Sequence, residues 1–213
     1  MNIHMEAISP RVKARASPAQ IDEEESHSVE NPSLRELEKL PKETLLELIK
    51  VYSRNWLTVD GLWFSGVEEI YGLDAAMALD VRMWRIGSLI EIKRIKKVLN
   101  LKGGLSDILR GVDFMSWAPS FGYEYEIAQG RALWTCTQCP PQEHRIKAGK
   151  GEFPCRATFD ACFSNVIEVI DPAVQVKCIF CPPGPHPKDA WCQWEFVSPN
   201  ESRSNGGGRQ DRA

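Results

Sequence analysis

Seven cysteines, Cys136, Cys139, Cys155, Cys162, Cys178, Cys181 and Cys192, all fall between Trp134 and Trp194. Four of them form two Cys-x-x-Cys steps, Cys136-Thr-Gln-Cys139-Pro140 and Cys178-Ile-Phe-Cys181-Pro182, each closed by a proline. Such a turn aims two sulfurs at one ion, and two such turns complete a tetrahedral site for zinc or iron. Cys139, Cys155 and Cys181 each adjoin a proline at the expected end of a strand or helix, where a buried small hydrophobe has little reason to sit. With Cys192 on the strand that pairs with that of Cys181, they make the expected metal set. Cys136, Cys178 and His186 are substitutes, zinc is the first ion, and iron or an iron–sulfur cluster is the alternative. Core packing competes with this reading, because strand and helix phase also put Cys136, Cys162, Cys178 and Cys192 in core positions, and free cysteine packs as a small hydrophobe. A nucleophilic or redox thiol is the third possibility and demands a lowered pKa and access.

A second group of candidates is acidic. Leu45, Ile49, Tyr52, Trp56, Val59, Trp63, Val67 and Ile70 share one stripe of a long helix at 100° per residue, and Asp60 falls within it. On the next helix Met77, Trp84, Ile95 and Val98 form the stripe, with Asp80 and Glu91 inside it. A buried carboxylate needs a partner. It is either a structural acid paired with a cation such as Arg94, at i+3 from Glu91, or part of a polar pocket of Trp56, Asp60, Trp63, Asp80, Trp84 and Glu91.

The elements that must position these groups read in order. Residues 1–33, with the acidic run Asp22-Glu-Glu-Glu25, are expected to be a disordered arm, and residues 199–213, with Gly206-Gly-Gly208, a disordered tail. Between them a single domain, residues 34–198, is expected to have a helical half (34–118) and a cysteine-rich half (119–198). Helices are expected over Lys42–Tyr71, from an Asp74 cap to the Gly103-Gly104 pair, and over Ser106–Trp117. Phe121, Tyr123, Tyr125 and Ile127 alternate, Gln129-Gly130 turns the chain, and residues 131–137 return as a hairpin strand. Pro140–Pro154 reads as an exposed loop carrying Glu143, His144 and Arg145, followed by a helix over Arg156–Ile170 and strands over Val174–Phe180 and Ala190–Val197. The fold class is therefore α+β: a helical hairpin and third helix packed on a four-stranded antiparallel sheet, made of two hairpins with a helix between them.

Composition narrows the function. A formal charge of −3 and a pI near 5.9 give no electrostatic footprint for nucleic acid. No apolar run spans a bilayer and the start lacks a signal-peptide core, so a cytoplasmic protein without membrane contact is expected, its oligomeric state open. There is no phosphate-binding glycine loop, no His-Glu-x-x-His and no nucleophile elbow.

Residues 55–68 (Asn55-Trp-Leu-Thr-Val-Asp-Gly-Leu-Trp-Phe-Ser-Gly-Val-Glu68), the Gly151-Glu-Phe-Pro-Cys155 turn, Cys181-Pro-Pro-Gly-Pro-His-Pro187 and Trp191-Cys-Gln-Trp-Glu-Phe196 carry a resemblance. They look like an uncharacterised family of small cytosolic prokaryotic proteins over roughly Leu34 to Phe196. More distantly, Cys139, the Gly-Glu turn before Cys155, and Cys192 near Trp-Glu-Phe are similar to L-2-amino-thiazoline-4-carboxylic acid hydrolase-like proteins. Related 4-vinyl reductase-like small-molecule-binding domains share only the strands and cysteines. The hydrolase resemblance implies a cysteine-dependent enzyme acting on a non-peptide C–N bond of a small cyclic substrate, with Cys155 or Cys139 as nucleophile and His144 or Glu152 as base. A small-molecule-binding module without chemistry is the remaining expectation.

Overall fold

A computed structural model of the chain describes residues 31–199; the rest of the expected arm and tail lies outside the described residues. The described residues divide into two units between Lys39 and Leu40. In the first, α1 (Pro32–Glu38) starts on Pro32, and the Asn31 side-chain oxygen accepts the Ser33 N–H at 2.9 Å.

In the second unit, α2 (Lys42–Tyr71) has the bounds expected from Pro41 and the apolar period. Gly72, at φ 87°, is the whole link to α3 (Leu73–Leu99), so Gly72 and not Asp74 stands at the helix boundary. That backbone angle suits glycine, and Asn100 (φ 53°) ends α3 in the left-handed region. Then follow α4 (Gly104–Asp113), a 3₁₀ turn (Ala118–Ser120), β1 (Gly122–Ala128), β2 (Arg131–Gln138), α5 (Pro140–Lys147), α6 (Arg156–Ile170), β3 (Gln175–Phe180) and β4 (Cys192–Val197). The α+β architecture is as expected. The four strands form one antiparallel sheet in the order β1-β2-β4-β3, so the two halves join through β2 and β4.

Register sets the core. Trp134 lies opposite Trp194 and Trp194 opposite Cys178; Cys136 faces Cys192, and Ala132 faces Phe196. This inner face is covered by α6, whose Phe163 ring lies 5.1, 5.3 and 5.6 Å from those of Trp194, Phe196 and Trp134. The other side of α6 meets α3 along Ala76, Asp80, Trp84, Ser88 and Ile92, one residue per helical turn. Two polar ties fix it: Asn165 Nδ2 donates to the Arg85 carbonyl and the Ser88 hydroxyl, both at 2.8 Å. At Gly111 of α4 a Cβ would lie 2.5 Å from Ile170 Cδ1 and 3.1 Å from Ile92 Cδ1. Gly111→Val should therefore overpack this crossing and cost about 1–3 kcal/mol, read as a lower urea midpoint at an unchanged slope.

Three expectations are corrected. The stripe on α2 does not face the core: Ile49, Tyr52, Trp56, Val59, Trp63 and Ile70 are exposed, and Ser53 is the helix's one fully buried residue. The inward arc is the adjacent one, Ser53, Leu57, Asp60 and Phe64, because Ser53 Oγ is held by Ser120 Oγ at 2.7 Å beside the Trp117 carbonyl. Val98, placed on the α3 stripe, is 80% exposed at the end of its helix. The expected loop 140–154 contains α5, with Gln142 and Arg145 buried, since prolines at the first helical positions give up no hydrogen bond. Among the described residues no helix is long and apolar enough to cross a membrane.

Candidate functional site

A cavity of about 630 Å³ opens between α2, α3, α5, α6 and the 3₁₀ turn. Its walls are aromatic: Phe64 from α2, Trp84 from α3, Trp117 and Phe121 around the turn, Phe153 before α6, and Phe159 from α6. These are not a loose collection, because Trp117 packs edge-on to Phe121 and Phe159 at 5.1 and 5.7 Å. Polar side chains interrupt these rings, among them Arg54, Asp60, Asp80, Arg145 and Thr158, and a mainly apolar wall with placed polar groups is the usual make-up of a small-molecule site.

Two carboxylates line it, Asp60 and Asp80. Asp80 is satisfied: Thr158 Oγ1 donates to it at 2.6 Å and the Trp84 side chain adds a second hydrogen bond, although burial still raises its pKa. Asp60 has no hydrogen bond or ion pair among the described residues. Burial, and then the nearby Asp80 charge, push its carboxyl to about 7. Three cations line the same cavity and none lowers the Asp60 pKa: Lys50 pairs with Glu47 at 2.7 Å, Arg145 is committed to Glu68, and Arg54 is not among the groups that act on Asp60. Asp60 is thus a cavity-lining acid to which no cation is paired among the described residues.

Arg145 closes one side. Its two terminal nitrogens reach the Glu68 oxygens at 2.9 and 3.0 Å, Lys150 adds a contact at 3.1 Å, and the guanidinium lies over Phe64 and Phe153 at 5.7 and 6.0 Å. Arg145, joined by Lys150, holds the Glu68 carboxyl below the usual range against the opposing effect of burial. The segment after α5 is fixed in turn by the Gln142 amide, which donates to the Phe153 carbonyl and accepts its N–H, both at 2.7 Å.

Of the expected pocket set, Asp60, Asp80 and Trp84 line the cavity. Trp56 packs edge-on against Trp84 at 6.3 Å from outside, and Trp63 is turned to solvent. Glu91 points elsewhere, accepting the Ser116 N–H; this contact, with Arg94 nearby, offsets part of the rise that burial causes. Sequence reasoning missed Thr158, Arg145 and the ring of phenylalanines. Arg145 had a readable signal, a cation four residues after Pro141 of a Pro-Pro helix start, but its partner Glu68 lies 77 residues away in sequence.

The cysteines form a separate cluster behind the cavity, and only Cys162 lines it. All seven are free thiols. Cys136 touches Cys139 and Cys192, Cys155 lies within electrostatic reach of Cys192, Cys139 and Cys181, and Cys181 contacts Cys178. Neighbouring sulfurs, then burial, push the Cys136 thiol up; burial leads for Cys155, Cys178 and Cys181. Cys139 and Cys155, expected in open loops, are 4% and 3% exposed and stand at the N-caps of α5 and α6. The expected four ligands are therefore brought near one another, with Cys136 and Cys178 beside them. Thiolate sulfur suits zinc or iron, yet among the described residues no group of three or more His, Cys, Asp or Glu is placed to hold a metal ion.

The expected catalytic group is not assembled. The hydrogen bond to Cys155 Sγ comes from Gln142 at 3.5 Å, His144 is exposed at the cavity wall, and Glu152 pairs with His186 Nε2 at 3.2 Å. Burial works against the charged form of His186, but contacts to the Pro187 carbonyl, Glu152 and the Ala190 carbonyl outweigh it and raise its pKa. Glu152→Gln should lower the His186 titration midpoint, followed by NMR of the ring protons.

Fold and cavity define an α+β protein with an aromatic, acid-bearing cavity on the helical side of its sheet. The chain belongs to the family of unknown function DUF6125, whose family model matches residues 38–198. No curated protein and no solved structure matches it.

Proposed function

We propose that the protein binds a small organic cation in the aromatic cavity, with Asp60 as its counter-charge. The observation that carries this reading is a mostly buried carboxylate facing a 630 Å³ space, with none of the cations that line it (Lys50, Arg54, Arg145) acting on that carboxylate. Retaining such a group costs stability, and a ligand that neutralises it explains its presence. Aromatic walls add cation–π attraction, worth about 0.5–2 kcal/mol per ring. Trp84 and Trp117 line the cavity and report occupancy. Titration with benzyltrimethylammonium should quench their fluorescence saturably and tighten as pH rises through about 7, where Asp60 ionises. Benzoate is the control. Equal binding of benzoate, or no saturable change with either probe, would sink the reading.

A second reading places zinc, or iron, on Cys139, Cys155, Cys181 and Cys192. What favours it is the gathering of six thiols, four of them with raised pKa values that a bound cation would reverse. It requires the sulfurs to converge further than they do here. Metal content of protein purified without oxygen tests it, and a stoichiometry near zero rejects it. A cysteine-dependent hydrolase is less well supported, because Cys155 is buried, pushed up and away from the cavity wall, the reverse of an activated thiol. The unpaired thiols suit a reducing compartment, the cytoplasm.

A further inference from the structure

The outer face of α2 carries an apolar repeat that is largely uncovered, the edge of Trp56 against Trp84 being the one ring contact it makes among the described residues. Ile49, Tyr52, Trp56, Val59, Trp63 and Ile70 recur at alternating steps of three and four, with Gly66 in the one remaining place. That is the a/d seam of a coiled coil, sustained from residue 49 to residue 70. All six side chains are exposed, Trp63 to 73%, and none is charged. At roughly 150–250 Å² per aromatic side chain and less per aliphatic one, the six leave about 700 Å² uncovered, and flanking Leu62 and Tyr71 bring this to about 1,000 Å². The largest apolar patch on a typical monomer is about 300–600 Å², whereas a stable interface takes about 800 Å² from each partner.

We propose that a second copy of this chain covers the seam, α2 against α2, antiparallel about a two-fold axis near Val59. A two-fold interface must be complementary to itself, and this one is. With the axis at Val59, Tyr52 of one copy falls opposite Gly66 of the other, a large side chain over an absent one. A Cβ built at Gly66 meets nothing within 4 Å, so the notch is open. A parallel pairing would instead set Tyr52 on Tyr52 and Gly66 on Gly66, crowding one layer and leaving a gap in another. The apolar period of α2 asks for burial that its own domain does not supply, and a second copy supplies it.

Sedimentation equilibrium of the full chain, from about 1 to 100 µM, should find a species of twice 24.1 kDa. Trp63→Glu should weaken self-association at least 100-fold with unchanged helical circular dichroism. Gly66→Leu, which fills the notch while favouring the helix, should weaken it at least 10-fold and raise the thermal midpoint of the dissociated chain. Ile127→Glu, on an exposed position of β1, should change nothing. The proposal is overturned if the wild type stays monomeric throughout, including a monomer that instead sediments with phosphatidylglycerol vesicles. It is equally overturned if Trp63→Glu and Gly66→Leu both leave the dimer intact, or if Ile127→Glu disrupts it.

Discussion

Asp60→Asn should make the protein more stable at pH 8, by on the order of 2–4 kcal/mol, while abolishing binding of an organic cation. The folded-state pKa of Asp60 is raised from 3.8 to about 7, so its contribution is most favourable when the carboxyl is protonated. Stability from this group is fully present below about pH 4, declines as pH rises, and is lost once pH passes about 7. The gain from the substitution should thus be near zero at pH 4 and reach its full value above pH 7. At about 1.4 kcal/mol per pKa unit the ceiling is about 4 kcal/mol, and water in the cavity brings the expectation nearer 2. Asp80 is the contrast, because Thr158 and the Trp84 side chain hold it. Asp80→Ala should cost about 1–3 kcal/mol by leaving the buried Thr158 hydroxyl without its acceptor. Chemical denaturation of both variants at pH 4, 6 and 8 separates the two acids. A loss of stability in Asp60→Asn at pH 8 would show that an unseen partner satisfies it.

Local signals marked elements better than they marked faces. The bounds of α2 and α6 were legible because Pro41 and Pro154-Cys155 punctuate two strongly periodic runs, and the β1–β2 hairpin because Gln129-Gly130 separates two alternating ones. Strand phase also placed Cys136, Cys178 and Cys192 on the inner face, since a period of two leaves no choice once Trp134 and Trp194 are inside. On α2 the same logic failed. The helix is apolar over an arc wider than one neighbour covers, and its most regular stripe is the outer one, while the inner arc mixes Ser53 and Asp60 with Leu57 and Phe64. Periodicity reports that a face is apolar, not what buries it. The cavity itself was half legible: Asp60, Asp80 and Trp84 stood out as acids beside tryptophan, but their neighbours Phe159, Thr158 and Arg145 come from helices far along the chain, Thr158 lying 78 residues from its partner Asp80, and no local pattern encodes that meeting.

Arg145→Met should destabilise the fold by about 2–3 kcal/mol and loosen the cavity. The substitution leaves Glu68, whose side chain is 15% exposed, with Lys150 alone at 3.1 Å. Breaking a buried pair from one side commonly costs about 3–5 kcal/mol, and the surviving lysine places this case at the lower end. Arg145→Lys should not restore it, because an ammonium can neither match both Glu68 oxygens at once nor lie flat over Phe64 and Phe153. The double variant Glu68→Gln with Arg145→Met should cost less than the two single costs added, by about 1–2 kcal/mol, since it strands no charge. The pH dependence runs opposite to that of Asp60. Arg145 and Lys150 hold the Glu68 pKa below its ordinary 4.5, so the contribution of the pair is present above about pH 4.5 and disappears as pH falls through the lowered value. The deficit of Arg145→Met should therefore shrink in acid, where that of a merely ill-packed variant would persist. Because Arg145 also rests on two rings of the cavity wall, the same variant should weaken benzyltrimethylammonium binding at pH 8. A variant as stable as the wild type at that pH would mean that the Glu68 pair is solvated and that the aromatic wall stands without it.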